Sequence, residues 1–488
     1  MAARTGAQFI EGLQRKTREL WMEGERVGDV TAHPALAGAA RSIADVFDLQ
    51  HRFADECLIP DPETGEAISI SHMIPRSVDD LRRRAQGLSR ISESTVGLMG
   101  RTPDYVNMKF AAVAASPRFW SGDGVNADGA GALVDYQKLA ARRDLSLTHT
   151  IIQPTIDKST DGNILGNTVT LHKVGETADG IIVRGARILA TLAPFADDIA
   201  VYPALPLPRD AEAYALSFSI PVGTPGLLFL CRDHASVDAH PFDRPLSSRF
   251  DEQDAFVIFD DVLIPRDRLF LDGRPGSVEI YNNIRNCGVL DNMMTQTTIR
   301  ALNKLEFCYG LATRMAETIG DRSPATNEML GELLGYVEVT RNATLLSTEH
   351  GRDRGDGVFF ADGRALTPMK ALLATWFPRV NEIITLIGSH NLLATPSRRE
   401  LDDAELRPLI DKYLCGANGI DAEERAAIFR LAWDFVGSAL GGRNVLYERF
   451  YLTSASRNRI TAHATNVDRS RAFGLVDSIL QAGRGGTG

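Results

Sequence analysis

Gly180-Ile-Ile-Val-Arg-Gly185, Asp198-Ile-Ala-Val-Tyr202, Tyr214-Ala-Leu-Ser-Phe-Ser-Ile220, Leu227-Leu-Phe-Leu230 and Ala255-Phe-Val-Ile-Phe259 are short strand-like runs within one stretch of the chain. Turn signals separate them. Ala178-Asp-Gly180 and Gly223-Thr-Pro-Gly226 supply the positive-φ and fixed-φ positions that tight turns need. Residues 151–277 therefore read as a small antiparallel β-barrel or sandwich.

On either side the hydrophobic period changes from two to about 3.6. Residues 1–150 are mostly helical, interrupted by Ile59-Pro-Asp-Pro-Glu-Thr-Gly65, which reads as a surface loop. Beyond 278, Ile299, Leu302, Leu305, Tyr309, Ala312, Met315 and Ile319 fall three or four apart. Further stripes run through Met329, Leu330, Leu333 and Val337, and from Met369 to Ile387. Long striped helices with short links make a bundle over 278–475. The Gly-rich end, 476–488, reads as a flexible tail. The fold class is α+β, ordered as helices, β domain and helical bundle, with no 20–50-residue repeat.

The 488 residues carry 53 Lys+Arg against 63 Asp+Glu, a formal charge of −10, so neither nucleic acid nor a membrane surface is expected as a partner. The first twenty residues are amphipathic and broken by charges, without the apolar core of a secretion signal, and the expected location is the cytoplasm. Five scattered cysteines, Cys57, Cys231, Cys287, Cys308 and Cys415, show no metal-module spacing and read as buried free thiols. No metal site is expected. Phosphate-loop, zinc-protease and nucleophile-elbow motifs are missing from the sequence. Gly122-Asp-Gly124-Val-Asn-Ala127 follows no strand and reads as a loop, not a dinucleotide cradle.

A polar cluster stands out from apolar surroundings: Gly100-Arg-Thr-Pro-Asp-Tyr-Val-Asn107, then Leu145-Ser-Leu-Thr-His-Thr-Ile-Ile-Gln-Pro-Thr-Ile-Asp-Lys158. Arg101 and Tyr105 are one helical turn apart, which puts a permanent cation and a phenolic donor on one face. His149 lies where the helical part gives way to strands, and clefts between domains are favoured ligand sites. A structural role is the alternative for each: a salt-bridged Arg101, a core Tyr105, and a His149 bonded to a backbone carbonyl.

Five strings carry a resemblance: Gly100-Arg-Thr-Pro-Asp-Tyr105; Leu147-Thr-His149 with Gln153-Pro154 and Asp157; Val183 to Thr191; Phe259-Asp-Asp-Val-Leu-Ile-Pro265; and Gly441-Gly-Arg-Asn-Val-Leu-Tyr-Glu-Arg-Phe450. In order, from about residue 6 to 475, they resemble the oxygenase components of the 4-hydroxyphenylacetate 3-monooxygenase family, which includes chlorophenol and nitrophenol monooxygenases. The resemblance implies an acyl-CoA dehydrogenase-like fold: an N-terminal helical domain, a middle antiparallel β-barrel and a C-terminal four-helix bundle. It implies a homotetramer supplied with reduced FAD by a separate NAD(P)H:flavin reductase. With O₂ as co-substrate, a C4a-hydroperoxyflavin would deliver oxygen to a phenolic substrate ortho to its hydroxyl.

Carried over by resemblance, Arg101, Tyr105 and His149 are the catalytic and substrate-binding triad. His149 would accept or share the phenol proton as a neutral imidazole titrating near working pH. Arg101 would stabilise developing negative charge, and Tyr105 would orient by a hydrogen bond. Thr148, His149, Thr150, Gln153, Pro154, Thr155 and Thr191 match flavin-contacting segments. Arg443, Asn444 and Tyr447 would approach the flavin of a neighbouring subunit, unless Gly441-Gly442 breaks the helix there. Ser389-His390-Asn391 and Leu452 to Arg457 depart from the family pattern, making His390, Thr453 and Ser454 candidates for the substrate rim. Two other classes share the fold or the residues: a 4-hydroxybutyryl-CoA dehydratase-like enzyme, which needs an iron–sulfur cluster, and a non-catalytic flavin-binding scaffold.

Overall fold

The computed structural model describes residues 3–156, 164–203, 206–235, 240–283, 288–465 and 468–484. Twelve strands are used below: β1 (Glu19–Met22), β2 (Glu25–Arg26), β3 (Leu58–Pro60), β4 (Ala67–Ser69), β5 (Leu147–Thr150), β6 (His172–Glu176), β7 (Gly180–Thr191), β8 (Asp198–Val201), β9 (Leu216–Pro221), β10 (Leu227–Cys231), β11 (Asp254–Pro265) and β12 (Leu269–Asp272). Each run read from the sequence as a strand is one.

The middle of the chain forms two facing sheets: six strands in the order β2-β1-β10-β11-β7-β6 and four in the order β12-β9-β8-β5. Neither order closes on itself, so of the two alternatives read from the residues the architecture is the sandwich, not the barrel that the resemblance implies. Inward residues of the two sheets meet in one core, with Phe218 of β9 edge-on to Phe259 of β11 at 6.0 Å between ring centroids. Most pairings are antiparallel, but β1 runs parallel to β10 and β5 parallel to β8. Both parallel strands come from residues 1–150, so that segment is not purely helical. The stretch 59–65 is the end of β3 and the mostly exposed turn of the β3–β4 hairpin, which is the surface loop read from the sequence.

The helices Gly6–Arg15, Ala37–Arg52, Pro103–Ala114 and Ala127–Arg143 pack around the sheets, while Val78–Glu93 packs on the long bundle helix Val289–Thr318. Thr5 opens the first of them with a reciprocal capping box to Gln8. The bundle is built on Val289–Thr318, Pro324–Glu349, Met369–Gly388 and Ala422–Val436. Leu305, Ala312, Met315, Leu333, Val337 and Ile387 of the expected stripes are buried. The helix Ser470–Arg484 takes up 476–484 of the expected tail, and 485–488 lie outside the described residues.

Gly441-Gly442 does not break the helix Ala439–Phe450, which runs through both residues from a Ser438 cap. Gly441 is there for closeness: a Cβ would sit 2.7 Å from the Phe435 carbonyl oxygen. This helix and Val289–Thr318 are joined by a buried ionic cluster, in which Arg300 and Lys304 both pair with Glu448 at 2.9 Å. Burial works against the Glu448 charge, but the two cations win and hold its carboxyl at about 2. Among the cysteines, Cys57 and Cys308 are buried; Cys231 is half-buried, and Cys415, in a loop after the helix Arg407–Tyr413, is exposed. Cys287 lies outside the described residues.

Candidate active site

The helix Pro103–Ala114 starts with a proline at its first position and an acid in its first turn, both favourable there. All twelve of its residues are buried. A helix apolar on every side needs no polar residue for solubility, so Tyr105, Asn107 and Lys109 require another reason.

For Tyr105 and Lys109 that reason is a column of stacked groups. The Arg101 guanidinium carbon lies 3.8 Å from the Tyr105 ring centroid. Tyr105 stacks on His149 at 5.4 Å, His149 stacks on Tyr202 at 5.3 Å, and the Lys109 ammonium lies over the Tyr202 ring. Strand geometry brings the parts together. His149 pairs in register with Ala200 of β8, and Tyr202 follows the end of that strand. Alternation sends Thr148 and Thr150 to the other face of β5, where their hydroxyls donate to the carbonyls of Thr191 and Ile188 at 2.6 and 3.1 Å.

Burial first, and then the Arg101 and Lys109 charges, push the His149 pKa well below the ordinary imidazole value. The shift holds the imidazole neutral, the form in which it can accept a proton or hydrogen bond. Its Nδ1 is buried and has no hydrogen-bond partner among the described residues. Burial raises the Tyr105 and Tyr202 pKa values, so both keep their hydroxyl protons. Asp104 turns to the other side of the helix and accepts from Gln296 Nε2 at 2.9 Å, and burial raises its carboxyl to about 6.

Arg101 is held from two directions. The Glu252 carboxylate accepts from the backbone N–H groups of Gly100 and Arg101 at 3.2 and 2.9 Å, while Arg101 Nη1 donates to the Tyr447 hydroxyl at 2.9 Å. Gly100 permits this approach, since a Cβ there would lie 1.9 Å from the Tyr447 oxygen. Arg443 pairs with Glu252 and Asp254, both at 2.8 Å. Asp254 also accepts from the Thr191 hydroxyl at 2.5 Å. Within the chain, two carboxylates beside the β11 start neutralise Arg443, and Tyr447 is engaged by Arg101. Asn444 is buried, with its Nδ2 lacking a partner among the described residues.

A cavity of about 270 Å³ opens against the column, with Tyr105, Lys109, Tyr202, Met293, Tyr451 and Thr453 among its walls. Ile151, at the end of β5, also lines it; Gln153, Pro154 and Thr155 follow in an irregular segment, half-buried, buried and exposed in turn. Asp157 lies outside the described residues. Ser454 is not part of the wall; its hydroxyl accepts from the Arg457 N–H at the start of the helix Ala455–Thr465.

His390 is not at the rim. Lys370, at the start of the helix Met369–Gly388, lines the cavity, while His390 is exposed beyond the other end. A helix of that length separates the two by roughly 30 Å. Lys109, Tyr202, Tyr451 and Glu252 were not singled out from the sequence. Lys109 had a legible signal as the lone cation four residues after Tyr105 in an apolar run, and Asp251-Glu252-Gln253-Asp254 is an acidic run ahead of a strand. Tyr202 and Tyr451 had none.

Residues 5–271 match the model for the 4-hydroxyphenylacetate 3-hydroxylase N terminal domain, and residues 282–481 match that for the C terminal domain. The 4-hydroxyphenylacetate 3-monooxygenase oxygenase component of Thermus thermophilus is 36% identical over 452 residues, which cover 92% of each chain. A crystal structure of such a component, complexed with FAD and 4-hydroxyphenylacetate, has a TM-score of 0.92 at 34% identity and covers 99% of both chains. An archaeal 4-hydroxybutyryl-CoA dehydratase, at TM-score 0.85 but 18% identity, shares the fold alone. With both family models matched in order along almost its whole length, the chain belongs to the 4-hydroxyphenylacetate 3-hydroxylase family.

Proposed function

We propose that this chain is the oxygenase component of a two-component aromatic hydroxylase, which takes reduced FAD from a separate NAD(P)H:flavin reductase and hydroxylates a phenol ortho to its hydroxyl with O₂. The observation that carries it is the stacked column of Arg101, Tyr105, His149, Tyr202 and Lys109 against a mostly apolar cavity.

The residues present fit a flavin and a phenol. His149 Nδ1, Asn444 Nδ2 and the hydroxyls of Tyr202 and Tyr451 are buried polar atoms without partners among the described residues, and each is a place for a polar group of a bound molecule. Asn444, with the backbone around Gln153 to Thr155, would hold the flavin, whereas the hydroxyls of Thr148, Thr150 and Thr191 are taken up within the chain. The bound flavin supplies the oxygen-activating redox chemistry.

The chain supplies position, charge and dryness. Tyr105 donates to the phenolic oxygen, and Arg101 stabilises negative charge on it. Neutral His149 offers Nδ1 as an acceptor that shares the phenol proton without becoming imidazolium. Thr453 lines the cavity and would face the far end of the ring. Burial of the column keeps out the water that would let oxygen leave as hydrogen peroxide.

The assembly is a homotetramer in the cytoplasm. No helix among the described residues is long and apolar enough to cross a membrane. Leu345, Leu346 and Leu386 of the bundle, and Phe473, Leu475, Val476, Ile479 and Leu480 of the last long helix, are all half or more exposed. Apolar surface on that scale is expected to meet other copies of the chain. The test of function is an assay of the purified chain with a generic NADH:flavin reductase and a panel of para-substituted phenols. Catechol formation in excess of peroxide supports the proposal; peroxide alone with every phenol would overturn it.

A further inference from the structure

Glu252 ties three parts of the chain together at one carboxylate. It is 1% exposed and lies two residues ahead of β11. Its oxygens accept from the backbone N–H groups of Gly100 and Arg101, just before the helix Pro103–Ala114, and from Arg443 Nη1 on the bundle helix Ala439–Phe450 at 2.8 Å. The main chain that carries it is pinned as well. The Leu192 N–H donates to the Glu252 and Gln253 carbonyls at 3.1 and 2.9 Å, and buried Gln253 takes a φ of +56°, a conformation that side chains of its kind adopt rarely and at a cost.

The bonds that start from Glu252 close a ring with the stacked column. In one direction Arg101 lies over Tyr105, and Tyr105 stacks on His149. In the other, Glu252 holds Arg443, whose Nε and Nη2 grip Asp254 at 2.9 and 2.8 Å. Asp254 accepts from the Thr191 hydroxyl, and the Thr191 carbonyl accepts from the hydroxyl of Thr148, the neighbour of His149. Arg101 and His149 are thus spaced by two independent routes. The Tyr105, Tyr447 and Tyr451 rings face the Arg101 guanidinium, and Arg300 of the helix Val289–Thr318 stands behind the last two.

We propose that Glu252 is a positioning residue for hydroxylation: anchored by Arg443, it holds the main chain at Gly100 and Arg101 so that the guanidinium stays over Tyr105 and beside the phenolic oxygen. This deepens the reading in which Arg101 stabilises negative charge on a bound phenol, and rests on it. Glu252 acts through the backbone and not through its charge. The charge by itself works the other way, because a nearby anion opposes ionisation of a phenol while a cation favours it. Neutralising Glu252 therefore has opposite signs under the two roles. A mere charge effect would make the bound phenol ionise more easily, whereas a displaced Arg101 would make it ionise less easily.

The test is equilibrium titration of the flavin-free, full-length protein with 4-nitrophenol, whose ionised form absorbs visible light, across a range of pH. In the wild type the bound nitrophenol should have a pKa below that of the free compound. In Glu252→Gln, whose amide presents a donor where the carboxylate presented an acceptor, that pKa should rise by about one pH unit, or about tenfold in the ionisation constant. Arg443→Lys keeps the charge but loses the planar fork that holds two carboxylates at once, and should move the pKa in the same direction.

An unchanged or lowered pKa in Glu252→Gln would overturn the inference. So would a change confined to the denaturation midpoint, because Glu252 would then only support the fold. If Glu252→Gln does not fold, a wild-type pKa in Arg443→Lys would still overturn it. A wild type that binds no 4-nitrophenol, or binds it without lowering its pKa, would instead remove the reading of Arg101 and the phenol site beneath, and the inference would fall with it.

Discussion

At the scale of single residues, the decisive fact about His149 is that it is neutral and held between two phenols. If its Nδ1 accepts the phenol hydrogen bond, His149→Ala should leave reduced-flavin binding near normal while hydroxylation falls by about 10²-fold. Peroxide release should rise as product falls, which a coupled assay of both would detect. Loss of flavin binding with unchanged coupling would make His149 a flavin-positioning residue instead. His72 is a second buried imidazole, held down at about 3 by burial alone. Its folded pKa lies below the unfolded value of about 6.5, so the unfolded chain binds more protons between those limits and stability falls as pH drops through that window. A His72→Gln variant should flatten this acid slope in denaturant titrations at pH 4 to 7. Arg101, Tyr105 and His149 could be picked out as part of a polar cluster in apolar surroundings, but their roles came only from the family resemblance. Tyr202 was hidden at the end of an ordinary strand, and its place beside His149 comes only from parallel pairing.

At the scale of elements, the bundle was readable because a helix declares its buried face every three or four residues, and Leu305, Met315, Leu333 and Val337 lie where that period puts them. Pairing between strands leaves no comparable trace. Glu19–Met22 is four residues long and joins β10, more than two hundred residues away, so nothing local marks it. The contact between the helices Val289–Thr318 and Ala439–Phe450 gives the clearest prediction at this scale. Glu448→Ala would leave Arg300 and Lys304 buried without their counter-ion, and should cost about 3 to 5 kcal/mol. Because its folded pKa is depressed to about 2, the Glu448 contribution is present above an unfolded value of about 4.3 and lost as pH falls towards 2. Chemical denaturation of wild type and Glu448→Ala at pH 7 and pH 3 should show the gap narrowing in acid. Gly100→Ala should act on the same helix by driving Tyr447 away from Arg101, with activity lost more than stability.

For the whole molecule, the order of helices, sheets and bundle followed from the change of period, while closure of the middle part did not, because strand count alone does not distinguish a sandwich from a barrel. The exposed apolar residues of the bundle and of Ser470–Arg484 predict a tetramer in light scattering. Removing 470–488 should lower that mass or the dissociation temperature of the assembly; a truncated chain of unchanged mass and stability would show that this helix takes no part. The reach of Arg101 to Tyr447 also matters for biosynthesis, since 346 residues of chain separate them. At ribosomal rates on the order of 10 residues per second, Arg101 waits roughly half a minute for its partner to be translated. A nascent or prematurely terminated chain therefore has the β domain but not a finished oxygen-handling centre. Late completion of the site would keep unfinished polypeptides from leaking peroxide into the cell.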